Sequence, residues 1–450
     1  MNRLIGGTLS AISLITMASL WKSMTASGGS SYVLSVAFEL ILFICTMNST
    51  AFVFLSWCAL AGLSINFVGI DPSEVLIPSL LLCGILHAHL NIKNLRLGKS
   101  ETALAALFLM LYTFSNVINV FNLSYIVHVG IGACLFVFFK LFIVSESRMR
   151  QALISIFAGL LLTSIASAFA LLNMWRPGDL FFPVMSADRY QALMGDPNIL
   201  AILTVIVAIW LMDEIFAPKL LKRYRPLVAV CLVATIIQIA LTLSRSGWLN
   251  LAVSISCYIF LDLLKRRLAR ATTIALTILA LTVSAICLLL YAGDENSLSD
   301  RINSLTAHSS QAEADRFDLL YTRNAIDLAQ SRPWGVGSGM AAPNLDQRSA
   351  EGLPIASHNA FVQILTENGW GAFIVVLIAC MTTLFSLVQK AMRHNESRFG
   401  LSYQFLISVA MGLIANSMFQ DLIEWQIAWI LPALATIVLW PPRSSESLTT

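Results

Sequence analysis

The sequence predicts an all-α polytopic membrane protein with about twelve to fourteen transmembrane helices. One large loop on the outer side, itself containing short helices, interrupts the series. Three observations predict this class. The 450 residues are 57% hydrophobic and only 12% charged, far from soluble composition. The apolar residues gather into runs of about 16 to 22, close to the length that crosses a bilayer as a helix. A single long polar insertion, 293–357, breaks the pattern. Backbone amides in hydrocarbon need internal partners, so runs of this length are read as helices.

The runs lie near 4–20, 31–47, 50–66, 74–90, 101–118, 123–143 and 152–172, which form an N-terminal group within 1–172. A central group within 173–292 contains 198–216, 227–243, 247–264 and 271–291. It also holds the tight turn Ser244-Arg245-Ser246-Gly247, read as a link between two helices. The loop 293–357 follows. A C-terminal group within 358–440 carries 369–389, 401–418 and 425–440, and 441–450 is a polar tail. All eight cysteines fall inside predicted helices with no zinc spacing, so they are read as small apolar residues.

Charge placement gives the map a direction. With the N-terminus inside and strict alternation, 19 of the 28 Lys and Arg residues fall on inner segments, as the positive-inside rule requires. The nine outer cations are Lys22 and eight arginines: Arg176, Arg189, Arg245, Arg301, Arg316, Arg323, Arg332 and Arg348. Random violations of the rule would mix lysine and arginine. A planar guanidinium that is always charged and donates bidentately suits phosphate.

Within the large loop, Ser310-Gln-Ala-Glu313 forms a capping box that predicts a helix over about 313–330, and Ser331-Arg332-Pro333 ends it. Arg316 and Arg323, seven apart, share a face of that helix. Gly335-Val-Gly-Ser-Gly339 has neither the surroundings of a dinucleotide fingerprint nor the spacing of a nucleophile elbow, and it is read as a flexible stretch. A hinge or a close approach of backbone to ligand fits it. His358-Asn359 then opens a segment, Ala360 to Glu367, that leads into the next crossing.

Each candidate residue has a plainer role beside its chemical one. Arg245 sits where a helix meets the outer boundary, and it either snorkels to headgroups or clamps an anion. Arg316 neighbours Asp315 and Asp318, so it belongs either to a surface ion-pair helix or to the same clamp. His358 has the near-neutral pKa of a general base for a hydroxyl, or it is structural. Glu367 either orients that imidazole or is an interfacial carboxylate. Trp334 has the flat face on which a sugar ring stacks.

These segments in their order, Thr242-Leu-Ser-Arg-Ser-Gly-Trp248, Arg316 ahead of Asn324-Ala325, Pro333-Trp-Gly-Val-Gly-Ser-Gly339, and His358-Asn359 with Glu367-Asn-Gly369, resemble the O-antigen ligase/polymerase superfamily of bacterial membrane glycosyltransferases. Asp196-Pro-Asn198, with Arg189 just before it, looks like a further family feature. The resemblance covers about 185–440. It implies a GT-C-like bundle in the bacterial inner membrane with its site facing the periplasm. It implies transfer of a glycan from undecaprenyl diphosphate to an acceptor hydroxyl, without metal or other cofactor. The acceptor is either the lipid A core, in ligation, or another lipid-linked glycan, in polymerisation.

The expected mechanism is one inverting displacement. Arg245 and Arg316 hold the diphosphate, His358 takes the acceptor proton, and Arg189, Asn198, Asn359, Glu367 and Trp334 line the substrate site. Partners are then the lipid-linked donor, the acceptor and membrane lipid, with no nucleic acid. A transporter or flippase of lipid-linked glycan is the rival, but such proteins use polar residues near the midplane. Here the membrane interior is nearly uncharged apart from Glu39. The charge map predicts that an alkaline phosphatase reporter fused after position 345 is active in a bacterial host and one fused after 395 is silent. The reverse pattern would invert the assignment of sides.

Overall fold

The computed structural model describes residues 98–121, 123–154, 185–186, 189–190, 197–218, 221–265, 267, 269, 272–274, 319–344, 359–394, 397, 399–419 and 426–440. The protein is an all-α polytopic membrane protein. Its described elements are α1 (Lys99–Ile118), α2 (Leu123–Phe142), a two-residue antiparallel ladder of β1 (Met185–Ser186) and β2 (Arg189–Tyr190), α3 (Pro197–Phe216), a 3-10 turn at Lys222–Tyr224, α4 (Arg225–Leu241) and α5 (Arg245–Leu264). After these come α6 (Leu319–Ser331), the short α7 (Ala341–Asn344), α8 (Ala360–Arg393), α9 (Tyr403–Ser417) and α10 (Gln426–Leu439). Every apolar run expected within these stretches is a helix. The runs expected before residue 91, at 152–172 and at 271–291, lie outside the described residues, as does the capping box at Ser310.

Among the described residues, five helices are long and apolar enough to cross a membrane: Lys99–Ile118, Pro197–Phe216, Lys222–Leu241, Arg245–Leu264 and Ala360–Arg393. They divide by burial. α3 is apolar on all sides and sheathed by protein, as a central helix must be. α1 and α8 instead turn residues such as Met110, Val117, Ile374, Met381 and Phe385 outward, which suits contact with lipid.

The chain divides into two compact units. The first comprises 1–95, 134–200 and 442–450. Its described residues are the second half of α2, the stretch 143–154, the β1–β2 ladder and the first turn of α3. Leu135, Phe138 and Phe139 are buried, Phe138 stacks on Phe142 at 5.7 Å, and the Arg148 guanidinium lies 4.7 Å from the Phe142 ring centre.

The second unit, 96–133 and 201–441, contains most of the described helices. α3 and α5 run parallel within it. Gly247 near the start of α5 faces Ala201, and eleven residues further on the Tyr258 hydroxyl donates to Asp213 at 2.7 Å. α9 runs antiparallel to α5: Gln404 Nε2 donates to the Tyr258 carbonyl at 2.7 Å, and Gly412 meets Asn250 and Ser254. α1 runs antiparallel to α8, with Leu111 against Gly371 and Ser115 against Glu367. At the far end of that pair, Lys390 Nζ donates to the Leu439 carbonyl at 2.8 Å and closes α8 against α10.

Gly412 sets the closest approach in this unit. A methyl group there collides with Ser254 Oγ and Asn250 Oδ1, and sits 2.8 Å from the Asn250 carbonyl oxygen. Backbone cannot yield as a side-chain tip can. Gly412→Ala is expected to lower stability by about 1–3 kcal/mol, the usual cost of overpacking. A fall in the thermal midpoint of the detergent-solubilised protein would show it, and an unchanged midpoint would contradict the contact.

Candidate functional site

Two constructions lie toward the same end of the second unit. The first is the start of α5. α4 ends at Leu241, and the chain reverses through Thr242, Leu243 and Ser244 before α5 begins at Arg245. Arg245 is therefore the first helical residue and not part of an interhelical turn, which corrects the expectation from sequence. Ser244 is the N-cap that draws the helix start forward, its Oγ accepting from the Gly247 amide at 3.1 Å.

The reversal is tight. Leu243 has φ 48, the one positive value among described non-glycine residues. It is held by a 3.1 Å bond from its amide to the Ala240 carbonyl and by the Ser244 amide donating to Thr242 Oγ1 at 3.2 Å. A leucine kept in the left-handed region costs of order 1–3 kcal/mol, because its Cβ crowds the backbone there, and such strain concentrates at functional positions. Thr242, Ser244, Ser246 and Asn250 are buried around the half-buried Arg245. A guanidinium at the N-terminus of a 20-residue helix adds its full charge to the positive end of the helix dipole. Both place positive charge at this end of α5.

The second construction joins α6, the glycine-rich segment and α8. α8 runs from Ala360 to Arg393 but is broken at Gly369, whose φ of 81 and ψ of 176 lie outside the helix. The break frees carbonyls, and the glycine segment captures them. The Val336 amide donates to the Thr366 carbonyl at 2.9 Å, and the Gly337 amide to the Glu367 carbonyl at 3.0 Å. The Trp370 amide donates back to the Pro333 carbonyl at 3.1 Å.

α1 completes the clasp. Ser115 Oγ donates to the Glu367 carbonyl at 2.7 Å, Asn119 Nδ2 to the Gly335 carbonyl at 3.1 Å, and the Ser338 amide to Asn116 Oδ1 at 2.9 Å. The segment 335–339, expected to be flexible, is thus fixed on three sides. Its glycines serve positive φ and backbone contact: a Cβ on Gly335 would strike the Glu367 carbonyl, and one on Gly337 the Val120 carbonyl.

The predicted site residues fall as follows. Asn359 is the N-cap of α8, its Oδ1 accepting from the Phe361 and Val362 amides at 3.0 and 3.1 Å. That carbonyl oxygen is therefore committed to the helix. Glu367 is buried, two turns further along, about 12 Å of helix rise from Asn359. It lines a small cavity with Tyr112, Tyr125, Ser338, Gln363 and Asn368. Trp334 is 53% exposed and packs edge-on against Phe114 at 5.3 Å. Asn198 is in the first turn of α3, and Arg189 pairs through its backbone with Ser186 in the short ladder. Arg316 and His358 lie outside the described residues.

The sequence reading missed Ser115, Asn116 and Asn119. Their i, i+1, i+4 placement at the end of an apolar helix was the available signal. It also missed the strain at Leu243, which has no sequence signature.

No group of three or more His, Cys, Asp and Glu among the described residues is arranged to hold a metal. Residues 230–377, about a third of the chain, match the family profile described as O-antigen ligase. The matched stretch runs from α4 to just past the break in α8 and includes Arg245, Arg316, Trp334, His358, Asn359 and Glu367. Arg189 and Asn198 precede it. The match supports the O-antigen ligase/polymerase superfamily and an O-antigen ligase-like function in surface polysaccharide or lipopolysaccharide biosynthesis. The chain matches no curated protein.

The clasp makes its own prediction. Gly369→Ala places a side chain at φ 81 against the Pro333 carbonyl. It should cost about 1–3 kcal/mol from strain alone, and amide hydrogen exchange across 333–340 should accelerate. Exchange there at the wild-type rate would show that the segment is not held by the break.

Proposed function

We propose that this O-antigen ligase-like membrane protein transfers a glycan from undecaprenyl diphosphate to an acceptor hydroxyl. Transfer takes place at the periplasmic face of the bacterial inner membrane. The observation that carries the reading is Arg245 on the N-terminus of α5, set among buried hydroxyls and behind a strained reversal. A diphosphate is the group such a position suits, and the donor needs no nucleotide.

The step is one inverting displacement. The acceptor oxygen attacks the anomeric carbon, the bond from that carbon to the diphosphate oxygen breaks, and the acceptor proton passes to His358. Undecaprenyl diphosphate leaves with the bonding electrons. Its growing charge is met by Arg245 and Arg316, stabilisation of the kind that gains most in a water-poor site. Guanidinium groups and the helix dipole supply this charge without a metal. Trp334 offers an exposed ring to a sugar of donor or acceptor, while Arg189 and Asn198, expected at the substrate site from the sequence, belong to the first unit. Asn359 contributes by starting α8 directly after His358.

Ligation to the lipid A core and polymerisation onto a second lipid-linked glycan share this chemistry. Surface glycan from a deletion strain separates them: loss of all attached polymer indicates ligation, and single repeats left on lipid indicate polymerisation. With a defined undecaprenyl-linked donor and purified protein, His358→Ala should lower kcat about 10²–10⁴-fold, the range of general-base catalysis. Arg245→Ala should lower it about 10²-fold or more, the cost of losing one stabilising donor. Chelator should leave the rate unchanged. Either variant working at the wild-type rate would defeat the assignment, and inhibition by chelator would defeat its metal independence.

A further inference from the structure

The break in α8 leaves a small internal cavity beneath it, lined by Tyr112, Tyr125, Ser338, Gln363, Glu367 and Asn368. It has room for about one water molecule and not for a sugar. Two of the polar atoms on its lining residues, Ser338 Oγ and Asn368 Nδ2, are buried and have no hydrogen-bond partner among the described residues. Ser338 is 2% exposed and Asn368 6%. Buried polar groups of native proteins are paired, with protein or with ordered water. A water in that space can accept from an amide, exchange a hydrogen bond with a hydroxyl and donate to a carboxylate, and Glu367 is among the lining residues.

We infer that the cavity holds one ordered water that links the Glu367 carboxylate to Ser338 and Asn368, and that Glu367 acts through it as a positioning residue. The water accepts from Asn368 Nδ2, donates to Glu367 and shares a hydrogen bond with the Ser338 hydroxyl. Backbone bonds already join the glycine segment to Thr366 and Glu367. The water adds a side-chain link between the same two strands of chain.

The consequence falls on 360–368. Gly369 severs this short helix from the long remainder of α8, so its direction is set by the clasp, not by the crossing below it. The helix begins at Asn359, immediately after His358. Glu367 thus acts at the far end of the segment that carries the proposed base, and need not touch the imidazole. An amide at 367 reverses the polarity of one bond to the water, because its NH2 donates where the carboxylate only accepts.

The test uses the full-length protein in lipid nanodiscs. A cryo-EM map sharp enough to show ordered water should hold density between Glu367, Ser338 and Asn368, and a dry cavity would overturn the inference. Glu367→Gln and Ser338→Ala should each speed amide exchange at Val336, Gly337 and 360–368 at least threefold while leaving 403–417 unchanged. The double variant should do no more than the worse single one; additive effects would break the proposed bridge. Ser338→Ala removes a single hydroxyl, so it reports even if Glu367→Gln fails to fold.

The rate readout rests on the glycosyl-transfer reading. There Glu367→Gln should lower kcat about tenfold with donor KM unchanged, whereas simple loss of folded protein would scale with the active fraction. Exchange effects in a protein that transfers no glycan would sink the functional reading and leave the cavity assignment standing. Wild-type exchange in both variants would sink the cavity assignment alone.

Discussion

A transmembrane helix cannot be broken without a partner for the backbone groups it releases, and this constraint organises the described half of the site. In hydrocarbon an unpaired carbonyl or amide has no water to turn to. Gly369 breaks α8, and the two carbonyls it frees are met by two amides of the glycine segment and by Ser115. That requirement fixes the glycine segment, because its backbone must lie within bonding distance of another backbone. It then fixes the end of α1, whose Asn116 and Asn119 satisfy what the segment itself leaves open. A polar loop is thereby fastened to two apolar helices, α1 and α8, at one point.

The start of α5 solves a different problem by a related device. Four buried polar residues surround a cation at a helix terminus, and the N-cap serine satisfies one of the amides that a helix start leaves unpaired. The remaining amides and the guanidinium all present positive charge. Leu243 keeps its positive φ within the hydrogen bonds of the reversal just before Arg245, as strained residues persist only where their surroundings hold them. Rigid placement matters where a leaving group must be met as its charge grows, because reorganisation at that moment adds to the barrier.

Much of this was legible in the sequence for a plain reason. Runs that cross a membrane are nearly uninterrupted, so eight expected helices agree with the described ones to within a few residues at most ends. The helix starting at Arg245 was placed two residues late because Ser-Arg-Ser-Gly reads as turn composition, and the capping geometry of Ser244 decides otherwise. Gly335 to Gly339 was read as loose for the same kind of reason. Glycine signals either freedom or close approach, and only the neighbouring backbone distinguishes them. The part played by α1 was invisible, because pairing Asn116 with Ser338 joins positions 222 residues apart. Arg245, Trp334, Asn359 and Glu367 were identifiable as residues of interest, but their places, Asn359 as a cap, Glu367 at the cavity and Arg245 as the first residue of α5, emerged only from the fold.

The close seam between α5 and α9 bears on how the chain is made. Asn250 and Ser254 face Gly412, and Asn416 is buried further along α9. The partner helix is synthesised about 160 residues after Asn250, a delay of roughly ten to thirty seconds at ordinary translation rates. Throughout that interval the face of α5 that carries Asn250 and Ser254 lacks the helix that later covers it. The seam therefore closes only after most of the chain has been made. A chain truncated ahead of residue 403 leaves that face of α5 uncovered, whatever else of the fold remains.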